Sequence, residues 1–148
     1  IRIIDAEDQR SLSIRREYDP GLPSIDLDWD QLVQAILNLV QNALAALDGQ
    51  GTLTLRTRTV NNFTIGGTRH RVIASIEIED DGPGIPKDMQ DSIFYPLVTS
   101  RPEGTGLGLP AAQELLSRHN GLIEFESRPG RTVFFVLIPL DQSEKMNG

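Results

Sequence analysis

The sequence predicts an α+β fold, a two-layer α/β sandwich in which a mixed sheet packs on about three helices. Three observations carry this expectation. Residues 28–47 and 107–118 place apolar side chains at three- and four-residue spacing, so each is a helix with a stripe that needs cover. Residues 52–60, 71–80, 122–126 and 132–138 read as strands, most clearly Val72, Ala74, Ile76 and Ile78 in alternation with Ile73, Ser75, Glu77 and Glu79. The strand pairs are separated by short, glycine-bearing connections of the hairpin kind. With 148 residues the chain is long enough for one domain with a real core and not comfortably two. The expectation is a single domain over 1–148, its core spanning about 12–140.

The elements follow in order. Residues 1–26 read as a strand-like lead-in, closed by the turn chemistry of Tyr18-Asp19-Pro20-Gly21-Leu22-Pro23. The first long helix starts at Asp28 or Asp30, either of which can cap it, and ends at Asp48-Gly49. Its stripe is Leu32, Val33, Ile36, Leu37, Val40, Leu44 and Leu47. A strand near 52–60 follows, then a connection of moderate length from Asn61 to Arg69 containing Gly66-Gly67, then the return strand from Arg71 to Asp80. A short helix is expected at 87–93, and irregular chain from Tyr95 to Thr105. Leu107 to Arg118 is the second long helix. Two strands around Arg128-Pro129-Gly130-Arg131 close the sheet, and the tail from Asp141 is expected to fray.

Composition narrows the chemistry. The 39% hydrophobic and 24% charged content is that of an ordinary globular domain. A net charge of −7 argues against nucleic acid or an anionic membrane as the main partner, since both favour basic surfaces. Phosphate ligands stay open, because glycine loops and helix N-termini hold them without net positive charge. The chain has no cysteine, which excludes disulfide scaffolds, thiolate metal sites and cysteine nucleophiles. It fits a reducing, cytoplasmic setting. No apolar run approaches the roughly 20 residues of a membrane-spanning helix. The chain opens at Ile1 without a methionine, so functional parts are expected upstream.

Three motifs carry chemistry. Asn38 and Asn42 are spaced i,i+4 and share a helix face, which the wheel places away from Ile36 and Val40. A carboxamide oxygen is a hard, neutral ligand suited to Mg²⁺; two solvated asparagines on an exposed face are the plainer alternative. Asp80-Asp81-Gly82-Pro83-Gly84 ends a strand with a carboxylate able to accept from an exocyclic amine such as that of adenine. Its glycines would let the backbone pass close to a flat ring, though Asp-Gly is also an ordinary turn signal. Gly104-Thr105-Gly106-Leu107-Gly108-Leu109 precedes a helix whose free N–H groups form an anion site. It has neither the feeding strand of a dinucleotide fingerprint nor the Gly-Lys-Ser/Thr of a P-loop.

In this order the motifs resemble the histidine-kinase branch of the superfamily that also holds DNA gyrase, Hsp90 and MutL ATPases, whose fold is the Bergerat-type sandwich. Asn38 to Ala43 is similar to its N box and Asp80 to Gly84 to its first glycine box. Phe94-Tyr95-Pro96-Leu97 resembles a variant F box, Gly104 to Gly108 the second glycine box, and Gly130-Arg131-Thr132 the late Gly-x-Thr element. The resemblance implies an ATP site with Mg²⁺. Asn42 would hold the metal and Asn38 would lie near the metal and phosphates, the two acting as the catalytic pair. Asp80 would bind the adenine amine, with Ala43, Gly82, Gly84, Ile85 and Thr132 around it. Gly104, Thr105, Gly106, Leu107, Gly108 and Leu109 would cradle the phosphates and anchor the helix. Thr99 and Arg101 would belong to the lid.

Two departures matter. Hydrolytic members carry a glutamate four residues before the metal asparagine, where this chain has Asn38, which cannot be a general base. That favours transfer to an imidazole nitrogen over activation of water. Leu97 replaces the second phenylalanine of the F box. A narrower resemblance, carried by residues 16–23, 55–59 and 94–99, is to the sensor kinases of nitrogen regulation. It implies a γ-phosphoryl transfer to a histidine on a separate dimerisation domain upstream, in a homodimer, with an NtrC-like response regulator and a PII signal protein as partners. The two histidines, His70 and His119, have no acidic neighbour of the kind found in the family's acceptor motif, so both are expected to be structural or surface residues. A related ATPase, a serine kinase of the anti-sigma type and a nucleotide-sensing docking module are the alternatives.

Overall fold

The computed structural model describes residues 12–21, 29–93 and 108–140. Its elements are β1 (Leu12–Glu17), α1 (Trp29–Leu47), β2 (Gly51–Ile65), β3 (Thr68–Asp80), α2 (Lys87–Gln90), α3 (Gly108–Ser117), β4 (Leu122–Arg128) and β5 (Arg131–Pro139). The five strands form one sheet in the order β1-β2-β3-β5-β4. β1 runs parallel to β2, and every other pair is antiparallel. The parallel pair requires a crossover, and α1 supplies it. The expected mixed sheet with helices is present.

The period-two pattern of the strands divides the sheet into two unlike faces. On one, Leu53, Ile78, Ile123, Phe134, Val136 and Ile138 pack with Leu32, Ala35, Leu39, Ala43 and Leu47 of α1 and Ala112 and Leu116 of α3. Phe125 and Phe134 stack there across the β4–β5 ladder, with ring centroids 5.7 Å apart. On the other face, Arg56 Nε meets Glu17 Oε1 at 2.9 Å and its Nη1 meets Glu77 Oε1 at 2.8 Å and Glu79 Oε1 at 3.2 Å. Arg58 takes the second Glu77 oxygen at 2.9 Å, and Arg131 meets Glu79 at 3.5 Å and Glu126 at 3.6 Å.

Several expectations need correction. The segment Asn61 to Arg69 is not a moderate loop: β2 and β3 continue through it to Ile65 and Thr68, leaving a two-residue turn. Gly66 and Gly67 have φ of 56° and 83°, the left-handed pair that a tight hairpin of this kind demands. Polar residues concealed the strand because this end of the hairpin has little apolar cover. What cover exists is a small second cluster of Ile65, Ile73 and Leu137. Val60 and Phe63 both pack on it although three positions apart, and the left-handed Asn62 between them (φ 57°) breaks the alternation. The short helix stops at Gln90, not at 93. Asp30 is not a cap; it lies in the first turn of α1, where its charge faces the helix dipole favourably. Residue 28 lies outside the described residues.

The stripe on α1 also differs from expectation. Val33 and Leu37 are exposed, at 46% and 44%, while Ala35, Leu39 and Ala43 are buried. The helix is covered on two sides, by the sheet and by α3, so its buried arc turns towards the alanines that let α3 approach. A stripe read from large apolar residues alone misses those positions. α3 stops at Ser117, one residue short of the expected Arg118. Asn120 takes φ 61°, Asn120 N–H reaches Ser117 O and Gly121 N–H reaches Leu116 O, a Schellman arrangement.

Candidate nucleotide site

β3 ends at Asp80, and the sheet places Asp80 between Leu53 and Thr132 on neighbouring strands. Thr132 in turn sits opposite Ser127. Directly opposed residues share a face, so Asp80, Thr132 and Ser127 form a polar row that continues the helix-facing side beyond its apolar part. Asp80 is 3% exposed and Thr132 4%. Asp80 Oδ1 accepts from Gly82 N–H at 2.9 Å, which folds the chain tightly after the strand. A buried carboxylate needs donors to stay charged, and this backbone bond supplies one.

The adjacent Asp81 has a different task. It is exposed, and its Oδ1 accepts from Thr52 N–H at 2.8 Å, tying the start of β2 to the end of β3. The same oxygen lies where a Cβ on Gly51 would stand. Of two neighbouring carboxylates, alternation turns one into the site and leaves the other to brace the strand ends.

The glycines of the first box answer to packing. Gly82 has Ala46 O of α1 and Asp80 Oδ1 at 3.2 and 3.0 Å from a would-be Cβ. Gly84 has φ 91°, and a Cβ there would lie 2.7 Å from Arg128 O. The box is thus pressed against the β4–β5 turn, with Gly130 N–H donating to Gly82 O at 2.9 Å and Ile85 N–H to Ser127 Oγ at 2.8 Å. Gln90 of α2 donates to Ile85 O at 3.0 Å.

On α1, Asn42 is 8% exposed and faces inward beside Ala43, so the expectation that both amides point away from the packed face holds only in part. Asn38 is half-buried, its Oδ1 accepting from Gln34 Nε2 at 3.2 Å. Ala46, one turn beyond Asn42, is the residue that touches Gly82. Asn42, Asp80, Gly82 and Thr132 are therefore brought to one end of the layer between α1 and the sheet. Leu109 packs against the main core. Gly108 is the first residue of α3. Thr99, Arg101, Gly104, Thr105, Gly106, Leu107 and the Phe94 to Leu97 segment lie outside the described residues. His70 is buried in β3, and His119 is partly buried with Nδ1 3.0 Å from Leu115 O. Sequence reasoning passed over Ser127; its position three residues before the Gly130 turn, opposite Thr132, is the signal that was there to read.

Comparison with known proteins identifies the family and the fold. The model of one protein family, described as "Histidine kinase-, DNA gyrase B-, and HSP90-like ATPase", matches residues 27–142. The sensory histidine kinase/phosphatase NtrB of Vibrio alginolyticus is 49% identical over 141 residues, which are 94% of this chain and 40% of that protein. The chain thus spans about 40% of the length of the curated relatives it matches. Among solved structures, the nucleotide-free catalytic domain of histidine kinase ThkA superposes with a TM-score of 0.73 at 27% identity, covering 87% of this chain and 79% of that one. ThkA in complex with response regulator protein TrrA gives a TM-score of 0.67 at 25% identity, covering 87% of this chain and 34% of that one.

Proposed function

The chain belongs to the histidine kinase-, DNA gyrase B- and HSP90-like ATPase family, and from that premise we propose that it is the catalytic, Mg·ATP-binding part of a nitrogen-regulation sensor histidine kinase. The observation that carries the reading is Asp80: a carboxylate buried at a strand end, accepting from the Gly82 backbone N–H, facing Thr132 and bordered by a glycine turn. A buried carboxylate accepts hydrogen bonds from an amine strongly, and the adenine edge offers one.

The metal end rests on Asn42 and Asn38. A carboxamide oxygen suits Mg²⁺, which keeps several waters and shares itself with phosphates instead of seeking an all-protein cage. Among the described residues no group of three or more His, Asp or Glu could hold a metal alone, and Asn42 with substrate phosphates fits that donor set. Bound there, the cation would neutralise charge on the β- and γ-phosphates. Asn42 would orient it, Asn38 would hold the phosphate side, and neither amide can take a proton from water. The residues proposed for the phosphates and lid are Thr99, Arg101, Gly104, Thr105, Gly106, Leu107, Gly108 and Leu109, on the strength of the motif alone.

The reaction proposed is transfer of the γ-phosphoryl to an imidazole nitrogen. A nitrogen–phosphorus bond forms as the bond to the β-phosphate oxygen breaks and ADP leaves. The acceptor histidine is proposed to lie on a dimerisation domain elsewhere in the protein, in a cytoplasmic homodimer. The recorded complex of ThkA with its response regulator supports an NtrC-like regulator as the onward partner, and PII is the proposed signal input.

Two experiments test this. ATP titrated into the domain should bind with magnesium, and Asp80→Ala and Asn42→Asp should each abolish the signal; unchanged affinity in both overturns the site. Incubation with a separately expressed acceptor domain should give acid-labile, base-stable phosphate. Phosphoserine alone would favour the anti-sigma class instead.

A further inference from the structure

We propose that Ser127 is a positioning residue for base selection: its hydroxyl fixes Thr132 as a hydrogen-bond donor towards the bound nucleobase. This rests on the nucleotide site proposed above. Ser127 Oγ stands 2.8 Å from Ile85 N and 2.7 Å from Thr132 Oγ1. The Ile85 amide can only donate, so Ser127 Oγ accepts from it. Across the 2.7 Å contact either hydroxyl could donate; in the proposed arrangement Ser127 gives its single proton to Thr132 Oγ1. Given to Thr132, that proton leaves Thr132's own proton for a third group, at the strand position directly facing Asp80. Thr132 and Asp80 are both buried, where a hydroxyl with a fixed direction counts for more than in water.

The consequence is chemical selectivity. The adenine edge offers an amine donor beside a ring-nitrogen acceptor. A carboxylate at Asp80 meets the first, and a hydroxyl held as donor at Thr132 meets the second, directly or through a water. Hypoxanthine reverses both groups, with a carbonyl acceptor beside an N–H donor. A Thr132 hydroxyl free to rotate could accept from that N–H; one receiving the Ser127 proton favours donation. Ser127 therefore acts at a distance, through Thr132, and also ties the glycine-box backbone at Ile85 to β4.

The test compares ATP with ITP by titration for wild type, Ser127→Ala, Ser127→Thr and Ser127→Cys, alongside thermal unfolding. Wild type is expected to prefer ATP. Ser127→Ala should cut the ATP-to-ITP ratio by about three- to tenfold, the worth of one net hydrogen bond. Ser127→Thr, which keeps the hydroxyl, should restore the ratio. Ser127→Cys, a weak donor of similar size, reads the same loss if the alanine variant fails to fold. An unchanged ratio, or an equal loss for both nucleotides, overturns the role given to Ser127. Wild type that bound neither nucleotide would instead overturn the site itself, a distinguishable result.

Discussion

The two faces of the sheet are made by the same strands and do opposite things. Towards the helices, β3 presents Ile76 and Ile78 and then Asp80; away from them it presents Glu77 and Glu79. From Ala74, Ile138 and Ile123 onwards, β3, β5 and β4 are apolar on the inner face until the row of Asp80, Thr132 and Ser127. The outer face is a lattice of ion pairs centred on Arg56. At the glycine-box end of the inner face the polar groups Asp80 and Thr132 are buried. Those on the outer face are many, partly solvated and directed at one another. The lesson is that a charged residue in this sheet is read by its parity: one position's shift moves it from ligand chemistry to surface stability.

That contrast can be broken or sharpened by substitution. Asp80→Ala has the largest expected effect, loss of the calorimetric ATP signal through a fall in affinity of roughly a hundredfold, since a charged acceptor is removed from a buried site. The unfolding midpoint should move far less than the affinity. Gly84→Ala should destabilise by roughly 1–3 kcal/mol in urea unfolding, because φ is 91° and Arg128 O stands in the way of a Cβ. It should also loosen the glycine box from the β4–β5 turn and weaken ATP.

Arg56→Met comes next, with about 1–2 kcal/mol lost in the same unfolding measurement and ATP affinity unchanged. Arg56 serves three carboxylates, and Glu77 is buried, but Arg58 remains to hold one of its oxygens. A fall in ATP affinity comparable to that of Asp80→Ala would contradict the separation of the faces. The smallest effect is that of Glu17. The hydrogen bond from Arg56 holds its carboxyl below its ordinary value of 4.5. A lowered folded value means the pair stabilises above that pH and loses its contribution as pH falls through the folded value. The difference in thermal midpoint between wild type and Glu17→Gln should therefore be present at neutral pH, shrink below about 4.5 and vanish once pH has fallen through the folded value.

Much of this was legible in the chain itself. The alternation in 71–80 and the glycines at 82 and 84 placed the end of β3 and its turn correctly, because strand period and backbone conformation are local properties. Asn61 to Arg69 was misread because polar side chains on an end with little cover look like a loop, although Gly66-Gly67 already specified a two-residue turn. The face of α1 was misread because alanines 35 and 43 carry little signal in sequence, yet they decide where α3 can approach. The inward turn of Asn42 follows from that packing.

The residues alone determined the strand-ending carboxylate, the glycine turns, the paired amides and the family they imply, since each depends on chemistry within a few positions. Only the tertiary structure decided that Asp80 and Asp81 take different tasks, that Gly84 yields to Arg128, and that Ser127 reaches both Ile85 and Thr132. Ile85 and Ser127 are 42 residues apart in the chain. No local pattern encodes such a contact; it exists because strand pairing and the docking of a glycine turn bring distant backbone and hydroxyl groups within one hydrogen bond.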